Sequence, residues 1–144
     1  AMGSSLSHLG EQPGQGAAMK VVNQLLCGVH IAAAAEGLAF AERAGINPAT
    51  ALEVLSGSAA QSWMLAARGP RMIDYDNMVT SAVDIFVKDL ALVLDSGRAA
   101  KMALPLAASA HQLFLTASGM GHGHEDDSQV IETYRALMRK REDR

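Results

Sequence analysis

The sequence predicts an all-α fold, a helical bundle built on one long, buried N-terminal helix. Alanine supplies much of the 49% hydrophobic fraction while aromatics contribute only 4%, and small side chains let helices approach closely. Apolar residues recur at helical rather than alternating spacing, and most segments sit between recognisable caps and breakers. No convincing strand or internal repeat is visible. At 144 residues the chain holds one domain and is too short for two full ones. Residues 1–13 read as a tag remnant (Ala1-Met2-Gly3-Ser4) followed by a linker, and residues 14–144 as the domain proper.

The first helix is expected over residues 15–44, free of proline and stopped at Gly45. Val21, Val22, Leu25, Leu26, Val29, Ile31 and Leu38 go round most of its circumference, which predicts burial on most sides. It would be roughly 45 Å long at 1.5 Å per residue. That exceeds what a compact domain of this size encloses, so a neighbouring domain or subunit is expected beside it. Asn47-Pro48 opens a second helix and Gly57 closes it. Ser58 and Gln61 have capping-box spacing for a third, ending at Gly69-Pro70. Ser81 with Asp84 opens a fourth, running to Lys101. Residues 82–87 could also be a strand, but Ile85, Leu90, Val93 and Leu94 continue at helical spacing. Pro105 opens a fifth, broken by glycines at 119, 121 and 123, and Asp126 with Gln129 caps a last helix towards Arg141.

A net charge of −3 argues against a general nucleic-acid or membrane-surface binder, which is normally basic. The longest uncharged apolar stretch, residues 21–35, is short for a membrane span and carries Asn23, Gln24 and His30. The N-terminus lacks a basic start followed by an apolar run, so no signal peptide is read. The single cysteine, Cys27, cannot form an internal disulfide, which fits a reducing cytoplasmic compartment.

The residues placed for chemistry cluster at the start of the first helix. Gly14 and Gly16 let the chain approach something closely, and Lys20, Asn23 and Gln24 share one face at i, i+3 and i+4. Lys20 precedes 15 residues free of Asp, Glu, Lys and Arg. On a buried helix, desolvation would push its pKa towards neutrality, where it can take and give a proton. The alternative is a lysine that snorkels to solvent from the first turns. Asn23 can donate to and accept from a ligand at once.

The pattern Gly14-x-Gly16-x-x-x-Lys20-x-x-Asn23-Gln24, the helix around Glu36 and the later Lys88-Asp89-Leu90 resemble the β-hydroxyacid dehydrogenases. The family includes 3-hydroxyisobutyrate dehydrogenase and tartronate semialdehyde reductase, and the resemblance runs in order from about Gly14 to Tyr134. It implies the C-terminal helical domain of such an enzyme, of the type that closes 6-phosphogluconate dehydrogenase, with substrate-binding and dimerisation roles. It implies Lys20 as the residue that handles the hydroxyl proton, with Asn23 and Gly16 at the substrate. Lys88 would reach towards the cofactor, NAD or NADP, and Asp89 would fix the local helix; by spacing alone, Lys88-Asp89 reads as a solvated ion pair. The substrate implied is a small hydroxy or sugar acid such as threonate, with a homodimer or higher homo-oligomer as the assembly. Such enzymes bind the dinucleotide mainly through an N-terminal Rossmann domain, whose glycine fingerprint follows a strand. Gly14-x-Gly16 opens a different kind of unit. The 144-residue chain alone is therefore expected to show no turnover.

Other groups carry weaker expectations. His122, His124, Glu125, Asp126 and Asp127 read as a flexible loop and an acidic helix cap rather than a metal site. His30 is expected to be an interior, hydrogen-bonded histidine, Cys27 a packing residue, and Trp63 and Met64 core residues or lining of an interdomain cleft. Arg68 and Arg71 could face an anionic substrate or solvent. Arg135, Arg139, Lys140, Arg141 and Arg144, interleaved with Glu142 and Asp143, suit a helix C-terminus and frayed tail. A competing reading is a stand-alone helical interaction module without catalysis; a Rossmann fingerprint upstream in the gene would argue against it. A decarboxylating sugar-acid dehydrogenase of the 6-phosphogluconate type would need a longer helical domain and a phosphate-binding cluster.

Overall fold

The computed structural model describes residue 10 and residues 12–142. The expected tag remnant at residues 1–4 and the tail residues 143 and 144 lie outside the described residues. Among the described residues six α-helices follow one another: α1 (Gln15–Arg43), α2 (Pro48–Ser56), α3 (Trp63–Ile73), α4 (Val83–Ala99), α5 (Pro105–Ala117) and α6 (Glu132–Glu142). A π-type turn at Ser118–His122 and a 3-10 turn at Asp127–Ile131 join α5 to α6. Among the described residues the only strand-like pairing is an isolated bridge between Ala82 and Asp126, so the all-α expectation holds.

α1 is the spine, touching each of the other five helices and the 3-10 turn. Its 29 residues extend about 44 Å. The prediction of burial on most sides is corrected. Gly28, Ile31, Ala32, Ala34, Ala35, Leu38, Ala39 and Ala41 are buried, but Met19, Val22, Leu26 and Phe40 are exposed. The C-terminal half packs through one broad face, and the N-terminal half leaves an apolar edge uncovered. By length and composition α1 would also pass for a membrane-crossing helix, yet Ile31, Ala35 and Leu38 are fully enclosed, as in a core helix.

Caps explain most element boundaries. The Asn47 side chain accepts from the amides of Ala49 and Thr50, with Pro48 in the first turn. Gly45, at φ 82°, turns the chain after α1 in a conformation that favours glycine. The expected start of α3 is displaced, because Ser62 rather than Ser58 caps it, accepting from Leu65 N at 3.0 Å. Ser58 instead closes a local turn, accepting from Ala60 N at 3.1 Å. Nor does α3 end at Gly69-Pro70: it continues through Pro70 to Ile73, held there by packing on α1 and α2. The expected Ser81 cap is also replaced. Val83 N and Asp84 N donate to the carbonyls of Glu125 and Gly123 at 2.9 and 3.0 Å, so the glycine-histidine loop caps α4 with its backbone.

α4 and α5 form the most extensive helix pair, centred on Phe86 and Phe114, whose rings stack at 5.1 Å. α1 meets α4 where a Cβ on Gly28 would lie 2.8 Å from Leu90 Cδ2. A side chain at this position would force the buried Leu90 to shift, and the contact occurs one turn from Gln24.

Candidate functional site

Gly16, Lys20, Asn23, Gln24 and Cys27 follow one face of α1 at helical spacing. α4 brings Lys88 and Asp89 to this face. Gln24 Nε2 donates to Asp89 Oδ2 at 2.7 Å, and Asp89 Oδ1 lies 3.3 Å from Lys88 Nζ. Lys88 is 68% exposed, whereas Asp89 is 18% exposed, so the carboxylate is an anchor and the ammonium faces outward. Asn23 Nδ2 donates to Gln24 Oε1 at 3.3 Å and points towards Cys27 Sγ at 3.5 Å. The structure thus joins the Asn23 segment to Lys88, although the two are far apart in the chain. Lys20 stands one turn before Gln24 and is exposed; the burial expected for it is not supplied by this chain. Gly16 is exposed as well, and a Cβ there would meet nothing within 4 Å.

A second set of charges, which sequence reasoning left unresolved, links α3 to the 3-10 turn. Arg68 binds Asp127 through two hydrogen bonds, Nε to Oδ1 at 2.7 Å and Nη2 to Oδ2 at 3.3 Å. Arg71 donates to Asp126 Oδ2 at 3.1 Å and to Thr80 Oγ1 at 2.9 Å. Neither arginine is a simple solvent-facing residue. The signal was present, since two arginines at i, i+3 balance two adjacent aspartates further along, but spacing alone could not pair them.

The two aspartates titrate in opposite directions. Burial opposes ionisation of Asp126, but hydrogen bonds from Ser128, Thr80 and Arg71 hold it at about 2. Burial pushes Asp127 up to about 6 against the pull of Arg68. Asp126 therefore contributes stability that is present above its ordinary value of 3.8 and lost as pH falls through about 2. Asp127 contributes stability that is present below 3.8 and lost as pH rises through about 6. Thermal melts should show the midpoint rising as pH falls from 7 to about 4.5, then dropping towards pH 2. Asp127→Asn should flatten the first limb, and an unaltered limb in that variant would remove Asp127 as its cause.

The remaining expectations divide. Burial raises the Cys27 thiol above its ordinary value, with Arg68 pulling the other way, as suits a packing residue rather than a nucleophile. His30 is exposed, not interior, because its side of α1 is uncovered. Trp63 is 68% exposed while Met64 is buried, since the first turn of α3 directs consecutive residues to different sides. His122 Nδ1 lies 2.6 Å from Glu125 Oε2. Among the described residues no group of three His, Cys, Asp or Glu side chains is arranged to hold a metal ion. Glu36 sits further along α1 beside Tyr134, where burial, then the Glu36 charge, pushes the phenol to about 12. Arg135 joins α6 to α1 through Glu42 at 2.6 Å, a structural role for part of the basic end.

The sequence of this all-α chain matches a known family of the nicotinamide-dependent dehydrogenases. Residues 14–134 match the family described as NAD-binding of NADP-dependent 3-hydroxyisobutyrate dehydrogenase, and the chain belongs to that family. Within it, the chain is 49% identical over 134 residues to an L-threonate dehydrogenase of Cupriavidus necator, covering 93% of this chain and 45% of that protein. It resembles the crystal structure of a Salmonella typhimurium 3-hydroxyisobutyrate dehydrogenase with a TM-score of 0.87 and 47% identity, over 90% of this chain and 46% of that one. A Mycobacterium tuberculosis 3-hydroxyisobutyrate dehydrogenase, solved with L-serine, aligns with a TM-score of 0.76 and 26% identity, over 85% and 44% of the two chains. The chain spans about half the length of the relatives it matches.

Proposed function

We propose that this chain is the C-terminal helical half of an NAD(P)-dependent dehydrogenase that oxidises a small hydroxy acid of the L-threonate kind. The carrying observation is the Gln24–Asp89 hydrogen bond at 2.7 Å, which sets the face bearing Lys20 and Asn23 beside Lys88. The relatives named L-threonate dehydrogenase supply the substrate class. In this proposal the fold is of the type that closes 6-phosphogluconate dehydrogenase, a reading that the six-helix, all-α architecture of the described residues supports.

In the proposed reaction Lys20 takes the substrate hydroxyl proton during oxidation and returns it during reduction. Nicotinamide, when bound, would supply the acceptor for the hydride from the carbon that bears this hydroxyl, so two electrons and one proton would leave as hydride and the hydroxyl proton would go to Lys20. Asn23 holds the substrate through its amide. Gly16 allows a close approach: its own chain offers no packing reason for glycine, which points to a neighbour outside this chain. Lys88, exposed and tethered by Asp89, offers its ammonium to the dinucleotide, and the residues present fit that anionic group. A base must be neutral to accept a proton, and desolvation favours the neutral form. An N-terminal Rossmann domain closing over Met19, Val22 and Leu26 would supply that desolvation and cover the apolar edge. A homodimer or higher homo-oligomer in the cytoplasm completes the proposal.

The test compares two proteins. The 144-residue chain should give no NAD- or NADP-dependent oxidation of L-threonate, and the same chain preceded by its dinucleotide-binding half should give it. Turnover by the 144 residues alone would defeat the two-part reading. Absence of dehydrogenase activity in the longer protein across small hydroxy acids would favour a helical interaction module.

A further inference from the structure

The polar side chains between α4 and the Asn23 turn of α1 form one connected series, and its far end fixes its direction. Asp89 Oδ2 accepts from Gln24 Nε2 at 2.7 Å, and Asp89 Oδ1 lies 3.3 Å from the Lys88 ammonium. Gln24 Oε1 in turn accepts from Asn23 Nδ2 at 3.3 Å, and the same Nδ2 lies 3.5 Å from Cys27 Sγ. An ionised carboxylate only accepts, whereas an amide has one accepting end and one donating end. Gln24 therefore turns its nitrogen to Asp89, because the reverse orientation would set oxygen against oxygen. Its own oxygen then faces Asn23 and draws the Asn23 nitrogen inward. The Asn23 N–H groups are directed at partners within the chain, and the carbonyl oxygen Oδ1 is the atom left to a ligand.

A ligand that meets Asn23 Oδ1 has to bring a donor. A carboxylate has none, and in the proposed chemistry the reacting hydroxyl gives its proton to Lys20. A second hydroxyl satisfies the requirement. We infer that Gln24 is a positioning residue that fixes the polarity of the Asn23 amide, so that Asn23 Oδ1 selects substrates carrying a hydroxyl beyond the one oxidised. The inference deepens the proposed function and rests on its reading of Asn23 as a substrate-holding residue. It ranks polyhydroxy acids such as L-threonate above acids with a single hydroxyl such as 3-hydroxyisobutyrate. A site built to pair with a hydroxyl keeps an unpaired polar atom when that hydroxyl is missing, which weakens binding of the poorer substrate.

The test uses the protein that carries both halves, with L-threonate and 3-hydroxyisobutyrate compared at saturating cofactor. In the parent, kcat/KM for L-threonate should exceed that for 3-hydroxyisobutyrate by at least about tenfold. Gln24→Leu, which cannot orient Asn23, should reduce this preference about tenfold, through a higher KM for L-threonate. Asp89→Asn, whose amide donates as well as accepts, should reduce it about threefold. Asp95→Asn, exposed on α4, should leave it unchanged. Loss of a merely structural link between α1 and α4 would slow both substrates alike, so an unchanged preference in Gln24→Leu overturns the proposal. If circular dichroism shows Gln24→Leu unfolded, the preference in Asp89→Asn decides on the same terms. A parent that oxidises both acids equally well overturns the selectivity and leaves the dehydrogenase reading standing, whereas turnover of neither acid overturns both. The relay has its own readout in the 144-residue chain. There the Asn23 and Gln24 side-chain amide resonances should both move in Asp89→Asn and stay in place in Asp95→Asn. A stationary Asn23 resonance in Asp89→Asn overturns the proposal whatever the turnover assays give.

Discussion

Lys20→Ala, made in the protein that carries both halves, should lower kcat by about 10² to 10⁴, the range ordinary for loss of a general acid–base, while KM changes by only a few-fold. The split follows from geometry. Lys20 lies one turn before the Gln24–Asp89 contact, and its proposed task, moving the hydroxyl proton, belongs to the transition state more than to binding. Asn23 and Gly16, assigned to substrate, remain. Because Lys20 is exposed in this chain, the substitution should leave helix content unchanged, so lost turnover would not reflect unfolding. Lys20→Arg should not rescue the rate, since a guanidinium keeps its proton at any working pH. Steady-state kinetics on the three proteins decides the matter; an unchanged kcat in Lys20→Ala removes the lysine from the mechanism.

Local signals carried most of the fold. α1 ends where Gly45 takes a positive φ, and Asn47-Pro48 caps α2 as its sequence indicates, because those residues act on neighbouring backbone. Errors arose where tertiary packing overrode local preference. Pro70 reads as a stop, yet α3 runs past it. Ser81 reads as a cap, yet carbonyls some 40 residues away satisfy the first amides of α4. His30 was expected inside and is exposed, while the exposure of Trp63 and Lys20 agrees with the cleft-lining and snorkelling alternatives; apolar residues around α1 imply cover, but not whether this chain provides it. At the site, Lys20, Asn23 and Lys88 were named through the order of their motifs. The Gln24–Asp89 bond and the Arg68–Asp127 pair, between residues 65 and 59 positions apart, leave no local trace because they exist only after the helices pack.

That packing can be tested where it is tightest. Phe114→Ala should destabilise the chain by about 3–5 kcal/mol, the range for deleting a buried aromatic. Phe114 is fully buried, and its ring stacks on Phe86 at 5.1 Å in the α4–α5 contact. The substitution removes both the transfer free energy of the ring and its dispersion contacts, leaving a cavity that two helices can close only by shifting. Trp63→Ala deletes a larger ring, but Trp63 is 68% exposed, so the cost should stay within about 0.5 kcal/mol. Urea unfolding with a common m-value measures both. Similar losses in the two variants would defeat the argument from burial. The larger loss should also reach the functional face. Phe86 lies on α4 two residues before Lys88, so α4 settling into the cavity would strain the 2.7 Å bond from Gln24 to Asp89. In Phe114→Ala, the Gln24 side-chain amide resonance should therefore shift under native conditions, whereas Trp63→Ala should leave it in place, tying a core aromatic to the geometry that holds Lys88 beside the Lys20 face.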